Sequence, residues 1–126
     1  MRGKTIFLTA ALVFAVGAAG AAAANVFHFA LSRSAPAADA TVSAAEEVRL
    51  WFTQEPQANS VGIRVVDASG DAVETTDPAA DPDNAAVVYV KPSAPLTSGR
   101  YTVSWRGIGE DGHVVRGDFG FSVSAQ

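Results

Sequence analysis

Along most of this chain apolar residues alternate with polar ones at a spacing of two, the spacing of a β-strand with one buried face. Val48, Leu50 and Phe52 fall on one side of such a segment, with Arg49 and Trp51 on the other. Ile63 and Val65 repeat the pattern, and the Asp67-Ala68-Ser69-Gly70 turn follows them. Val87 and Tyr89 are read as the core face of a further strand, and Tyr101, Val103 and Trp105 as that of the next, after the Ser98-Gly99 turn. Phe119, Phe121 and Val123 close the chain in the same phase. Short alternating strands separated by Gly, Pro, Asp and Ser turns predict an all-β antiparallel sandwich of about seven strands. No segment after residue 24 carries a helical period. Val42 to Glu47 reads as a loop, and so does Thr76 to Asn84, with its two prolines and three aspartates. Trp51, opposite the Leu50 and Phe52 face, is expected to be partly exposed or covered by a loop.

The first 24 residues break this pattern. Arg2 and Lys4 precede an unbroken apolar and small-residue run from Thr5 to Gly20, and Ala21-Ala22-Ala23-Ala24 follows. That is the layout of a secretory signal peptide with a peptidase site after Ala24. The run is short for a membrane span, glycine interrupts it, and no charged stop-transfer cluster comes next. The chain therefore divides into residues 1–24, a signal, and residues 25–126, the folded domain.

Loss of Arg2 and Lys4 leaves seven basic residues against thirteen acidic ones, a balance of −6. No basic stretch remains to neutralise phosphates, which argues against nucleic acid as a partner. Cysteine is absent and methionine is limited to Met1, so the folded domain has neither thiolate nor thioether to offer a soft metal.

Candidate chemistry concentrates near the end of the chain. Gly107-Ile108-Gly109-Glu110-Asp111-Gly112 spells the dinucleotide fingerprint, but a helix N-terminus must follow the glycines to hold a pyrophosphate. Here a strand follows, and the glycines are read instead as permitting a bend or bulge. A hydrolase triad built from Asp111, His113 and a serine has no nucleophile-elbow pattern behind it. The Thr76 to Asn84 loop lacks the spacing and terminal glutamate of a calcium loop. Asp111-Gly112-His113 reads better as half of a metal site, because residues two apart on an extended segment point to the same side. Its competing reading is an ordinary Asp-Gly turn. The only other histidine, His28, stands at the start of the first β segment, and a first and a late strand can be neighbours at one end of a sandwich. Arg106 and Arg116 flank the triplet, either pairing with Glu110 or Asp118, orienting Asp111, or simply solvated.

These blocks together resemble the CopC-type copper-resistance proteins. His28 with Leu31 and Ser34-Ala35-Pro36 resembles the opening of that family, and Val48 to Thr53 resembles its second strand. Gly99 to Arg106 resembles its penultimate block, and Asp111-Gly112-His113 with Gly117 to Val123 its closing one. The likeness implies an immunoglobulin-like sandwich that is exported to the periplasm and binds Cu(II), with His28, Asp111 and His113 as ligands. It also implies a carrier or buffer in copper homeostasis and resistance, not an enzyme. Such a protein would be monomeric and work beside a CopD-type membrane copper transporter. The family's opening histidine is commonly the mature N-terminus, whereas cleavage after Ala24 leaves Asn25-Val26-Phe27 ahead of His28. An acidic residue of some members corresponds to Gln54, with Glu55 beside it, and the methionine-rich Cu(I) site of others is missing. Two rival functions are a sandwich interaction module that binds no metal and a copper oxidase or monooxygenase.

Overall fold

The structure, a computed structural model, describes residues 28–124. The signal assigned to residues 1–24 lies outside the described residues. Eight strands run in the order β1 (Leu31–Ala35), β2 (Thr41–Val42), β3 (Val48–Phe52), β4 (Gly62–Val66), β5 (Ala79–Asp81), β6 (Asn84–Val90), β7 (Gly99–Ile108) and β8 (Val114–Val123). They form two four-stranded sheets, β1-β3-β6-β5 and β2-β8-β7-β4. Every pairing is antiparallel except that of the two-residue β2 with β8. This is the expected immunoglobulin-like sandwich, in which the two inner faces supply the core.

The alternation of the sequence becomes the core directly. Val48, Leu50 and Phe52 of β3 are buried while Arg49 and Trp51 are not, and Tyr101, Val103 and Trp105 of β7 face them with Phe121 and Val123 of β8. Tyr101 stacks on Phe121 at 5.5 Å between ring centroids, and its hydroxyl donates to the Thr97 carbonyl at 2.7 Å. A buried phenol tied back to the backbone a few residues upstream is the tyrosine corner of such sandwiches. The long β7–β8 hairpin stays in register from Gly99↔Val123 to Ile108↔Val114, so it is the rigid beam of the second sheet.

Three local expectations differ from the structure. In β6 the residues that join the core cluster are Val88 and Val90, opposite Leu50 and Val48; Val87 is buried as expected but outside that cluster, and Tyr89 points outward beside Arg49. The run Ala85 to Val90 is apolar in both phases, so only pairing with β3 chooses which set turns inward. Within the Thr76 to Asn84 loop, Ala79–Asp81 forms the short edge strand β5. Arg49 explains this second difference. Its guanidinium lies 4.7 Å from the Tyr89 ring centroid and reaches Asp81 Oδ2 at 2.6 Å, with Glu47 on its other side. One side chain thus ties β3 to the edge strand across β6. Third, Thr41–Val42 form β2, so the Val42 to Glu47 loop begins one residue later. Trp51 is half-buried, as expected, but its cover is the Arg33 guanidinium, 4.0 Å from the ring centroid.

The Asp81 carboxyl is held below the usual carboxylate range, first by the Asp83 backbone N–H and then by Arg49. A carboxyl depressed by folding stabilises the native state above its ordinary pKa, about 3.9, and that gain is lost as pH falls through the lower native value. Asp81→Asn should therefore melt below the parent protein at pH 7. The gap should narrow once pH falls below about 4, as thermal melts across pH will show; a gap that stays constant would exclude this role for the charge.

Candidate metal site at the β7–β8 turn

The hairpin closes through Gly109 to His113. Gly112 N–H donates to the Gly109 carbonyl at 3.0 Å, and Gly112 itself has φ +82°, a left-handed conformation that a residue with a side chain adopts only under strain. Asp111 uses both carboxylate oxygens locally. Oδ1 accepts the His113 backbone N–H at 3.0 Å, and Oδ2 lies 3.0 Å from His113 Nδ1. The backbone bond first and the ring second hold the Asp111 carboxyl below the ordinary range. An ionised carboxylate and an imidazole therefore sit together on one exposed turn, with 61% and 82% of their side chains open to solvent. A hydrogen bond from Nδ1–H to the carboxylate fixes the imidazole tautomer whose lone pair is on Nε2, the form in which a ring nitrogen binds a metal.

The loop after β3 clamps this turn. Gln54 Oε1 accepts the Glu110 N–H at 3.2 Å, Gln57 Nε2 donates to the Gly109 carbonyl at 3.0 Å, and Gln57 N–H donates to the Ile108 carbonyl at 2.8 Å. Gln54, read from sequence as the counterpart of an acid in some members of the resembled family, is thus a strut here. Of the parts considered for the arginines flanking the triplet, the solvated one fits Arg116, which is exposed; Arg106 donates to the Ser60 carbonyl at 3.0 Å, and neither arginine pairs with Glu110, Asp111 or Asp118 among the described residues.

His28 comes to the same end by its neighbour. Phe29 stacks on Phe52 at 4.9 Å, and Phe52 in turn meets Trp105 edge-on at 5.4 Å. The Phe29 side chain lies across two glycines of β7 and the turn. A Cβ on Gly107 would stand 2.9 Å from Phe29 Cζ, and one on Gly109 would stand 2.6 Å from Phe29 Cβ. The two glycines read from sequence as a bend are instead a seat. Thr53 then fixes the incoming backbone: its hydroxyl donates to the His28 carbonyl at 2.7 Å and accepts the Ala30 N–H at 3.0 Å, while its N–H donates to the Ala30 carbonyl at 2.9 Å. His28 is thereby delivered, exposed, next to the residue that covers Gly109, two positions before Asp111. Asp111 and His113 are joined; His28 shares their end of the sandwich, but no three His, Asp or Glu side chains close on one point among the described residues. Phe29 and Thr53 went unnoticed in the sequence, where the only sign of them was two glycines spaced by two on a core-facing strand.

Residues 31–124 match the model of the CopC domain. The chain belongs to the CopC family. This CopC domain is 31% identical over 123 residues to the copper resistance protein C of Xanthomonas campestris pv. juglandis, an alignment spanning 93% of this chain and 97% of the relative. It is 28% identical over 113 residues to the copper resistance protein C of Escherichia coli, spanning 82% and 87% of the two chains. Among solved structures it is similar to PcoC, a methionine-rich copper resistance protein from Escherichia coli. Their TM-score is 0.71 at 28% identity, with 77% of this chain and 99% of that one covered. It is also similar to CopC from Methylosinus trichosporium OB3b, with a TM-score of 0.70 at 25% identity and coverage of 79% and 96%. The departure from a methionine-rich relative is plain, since this chain has Met1 alone.

The Phe29 seat makes a quantitative prediction. Gly107→Ala places a methyl group 2.9 Å from Phe29 Cζ and 3.0 Å from its Cε2, which should destabilise the fold by about 1–3 kcal/mol, the usual range for overpacking. Phe29→Ala should cost about 3 kcal/mol. Adding Gly107→Ala to Phe29→Ala should cost far less than Gly107→Ala does alone, because the ring atoms that the new methyl would meet have been removed. Urea unfolding of the two single variants and the double variant reads this coupling; additive losses would contradict the seat.

Proposed function

We propose that this CopC domain is an exported Cu(II)-binding protein that carries or buffers copper in homeostasis and resistance. The observation that carries the reading is the Asp111 carboxylate fixed 3.0 Å from the His113 ring on an exposed turn, at the end of the sandwich to which Phe29 and Thr53 bring His28. Two imidazoles and a carboxylate form an N/O donor set that suits Cu(II), the tightest binder of the divalent series. With no cysteine, and methionine confined to Met1, the chain offers nothing comparable to Cu(I). The names of the relatives, copper resistance protein C, point the same way.

In this reading His28 completes the set when copper arrives, since its backbone is anchored and its ring stands in solvent. The same exposure suits a carrier, which must release its cargo as well as hold it. Residues 1–24 act as the export signal and residues 25–126 as the working domain in the periplasm, where the protein serves as a monomer beside a CopD-type transporter. Processing after Ala24 would leave three residues ahead of His28, so its own amine would not join its imidazole in chelation.

Purified protein should bind one Cu(II), with an EPR spectrum of mixed nitrogen and oxygen ligation. The His28→Ala, His113→Ala double variant should lose that site, and unchanged stoichiometry in calorimetry would end the proposal. Affinity should fall on acidification. The Asp111 carboxyl is held below the ordinary carboxylate range, so the fall should come from protons competing with copper for the imidazole nitrogens and not from the carboxylate. A binding curve flat down to about pH 5 would contradict imidazole ligation.

A further inference from the structure

The outer face of the β2-β8-β7-β4 sheet carries a feature that the copper reading does not use. Its pairings set two rows side by side: Gly62, Arg106 and Arg116 in one, and Arg64, Ser104 and Asp118 in the next. Three of the seven basic residues beyond the signal therefore gather on one face of a chain whose balance there is −6. Arg106 and Arg116 stand directly opposite each other, an arrangement of like charges that weakens a sheet unless something compensates it.

Other cations of the domain have partners. Arg49 pairs with Glu47 and Asp81, Arg100 pairs with Asp39, and Arg33 covers Trp51. Arg64 and Arg116 make no ion pair among the described residues, and Asp118, on the same face, joins neither. Arg106 is held in place without being neutralised. Its side chain lies over Gly62, where a Cβ would meet Nε at 3.2 Å, and Nη1 donates to the Ser60 carbonyl. The result is a groove of about 380 Å³ bounded by β4 and the three arginines.

β4 is also the terminal strand of its sheet. Beyond it, the Val73 N–H closes on the Val65 carbonyl and Ala72 bridges Val66, so that side is covered from Val65 onward. Backbone direction alternates along a strand, so Ile63, two residues earlier, turns its N–H and C=O to the same outer side, where no strand follows among the described residues.

We propose that this groove docks an extended acidic segment of a partner protein, which adds alongside β4 at Ile63. The two rows of the face are one strand repeat apart, about 7 Å, as are carboxylates at positions i and i+2 of an extended peptide. One carboxylate then meets the guanidinium of Arg106 over Gly62, and the next meets Arg64. Planar guanidinium forks suit such two-point recognition, while edge pairing supplies affinity that is independent of side chains. Arg116, across β7, adds positive field without needing contact. Arg106 and Arg116 lie two rungs from the end of the ladder at Ile108↔Val114, so the docked partner would sit close to the Asp111–His113 turn.

The test is an NMR titration of the metal-free protein, so its failure leaves the copper reading untouched. The probe is an acetylated, amidated Glu-Val-Glu-Val-Glu peptide. Shifts should be confined to Gly62–Val66 and residues 104–106, and affinity should fall about tenfold in Arg64→Glu, a side chain with no structural bond to lose, and again on raising salt from about 20 to 300 mM. The Gln-Val-Gln-Val-Gln peptide and the acidic peptide N-methylated on its pairing edge should both bind far more weakly. Absence of shifts at millimolar peptide would overturn the proposal, as would shifts elsewhere, an unaffected Arg64→Glu variant, or equal binding of the N-methylated peptide.

Discussion

The seat of Phe29 over Gly107 and Gly109 is the contact on which the rest of this molecule depends. It joins the first described residues to the far end of the longest hairpin, through a ring stacked on Phe52 and backed by Trp105. A Cβ at either glycine would fall under 3.0 Å from an atom of the Phe29 side chain, closer than side-chain atoms approach one another, so the two surfaces meet only because one lacks side chains. Thr53 then converts packing into a fixed backbone path by bonding to both sides of Phe29. Without that seat, His28 and the Asp111–His113 turn would be linked only through the loop after β3, by Thr53 on one side and Gln54 and Gln57 on the other.

The turn itself is built differently from its anchor. The core end is apolar and dry, whereas Asp111 and His113 stand in water and are ordered by short-range hydrogen bonds, supported from beneath by Gln54 and Gln57. Under the proposed copper reading, a donor pair in that position would cost little desolvation to receive or release the ion. Rigid scaffold and exposed donors together are what a reversible binding site needs.

Charge is arranged with equal economy on the outer faces. On the β1-β3-β6-β5 sheet each arginine has a task, Arg33 over Trp51 and Arg49 over Tyr89 toward Asp81. On the opposite sheet Arg64 and Arg116 pair with no carboxylate among the described residues, beside an open stretch of β4. The contrast between the two faces, not the number of arginines, distinguishes structural charge from charge turned toward a partner.

By itself, the amino-acid order determined which residues of β3, β7 and β8 face inward, because there apolar and polar residues alternate in one phase only. It also determined the N/O character of the available donors, but it left Asp111-Gly112-His113 open between an extended segment and the turn that the structure has. Tertiary structure decided the phase of β6, where Ala85 to Val90 is apolar in both registers and pairing with Leu50 and Val48 breaks the tie. It decided that three residues of a Pro- and Asp-rich loop become a strand, because Arg49 reaches across β6 to Asp81. And it decided that glycines open to reading as a bend are the floor beneath Phe29, since a contact between residues some eighty positions apart leaves no periodic trace in the chain.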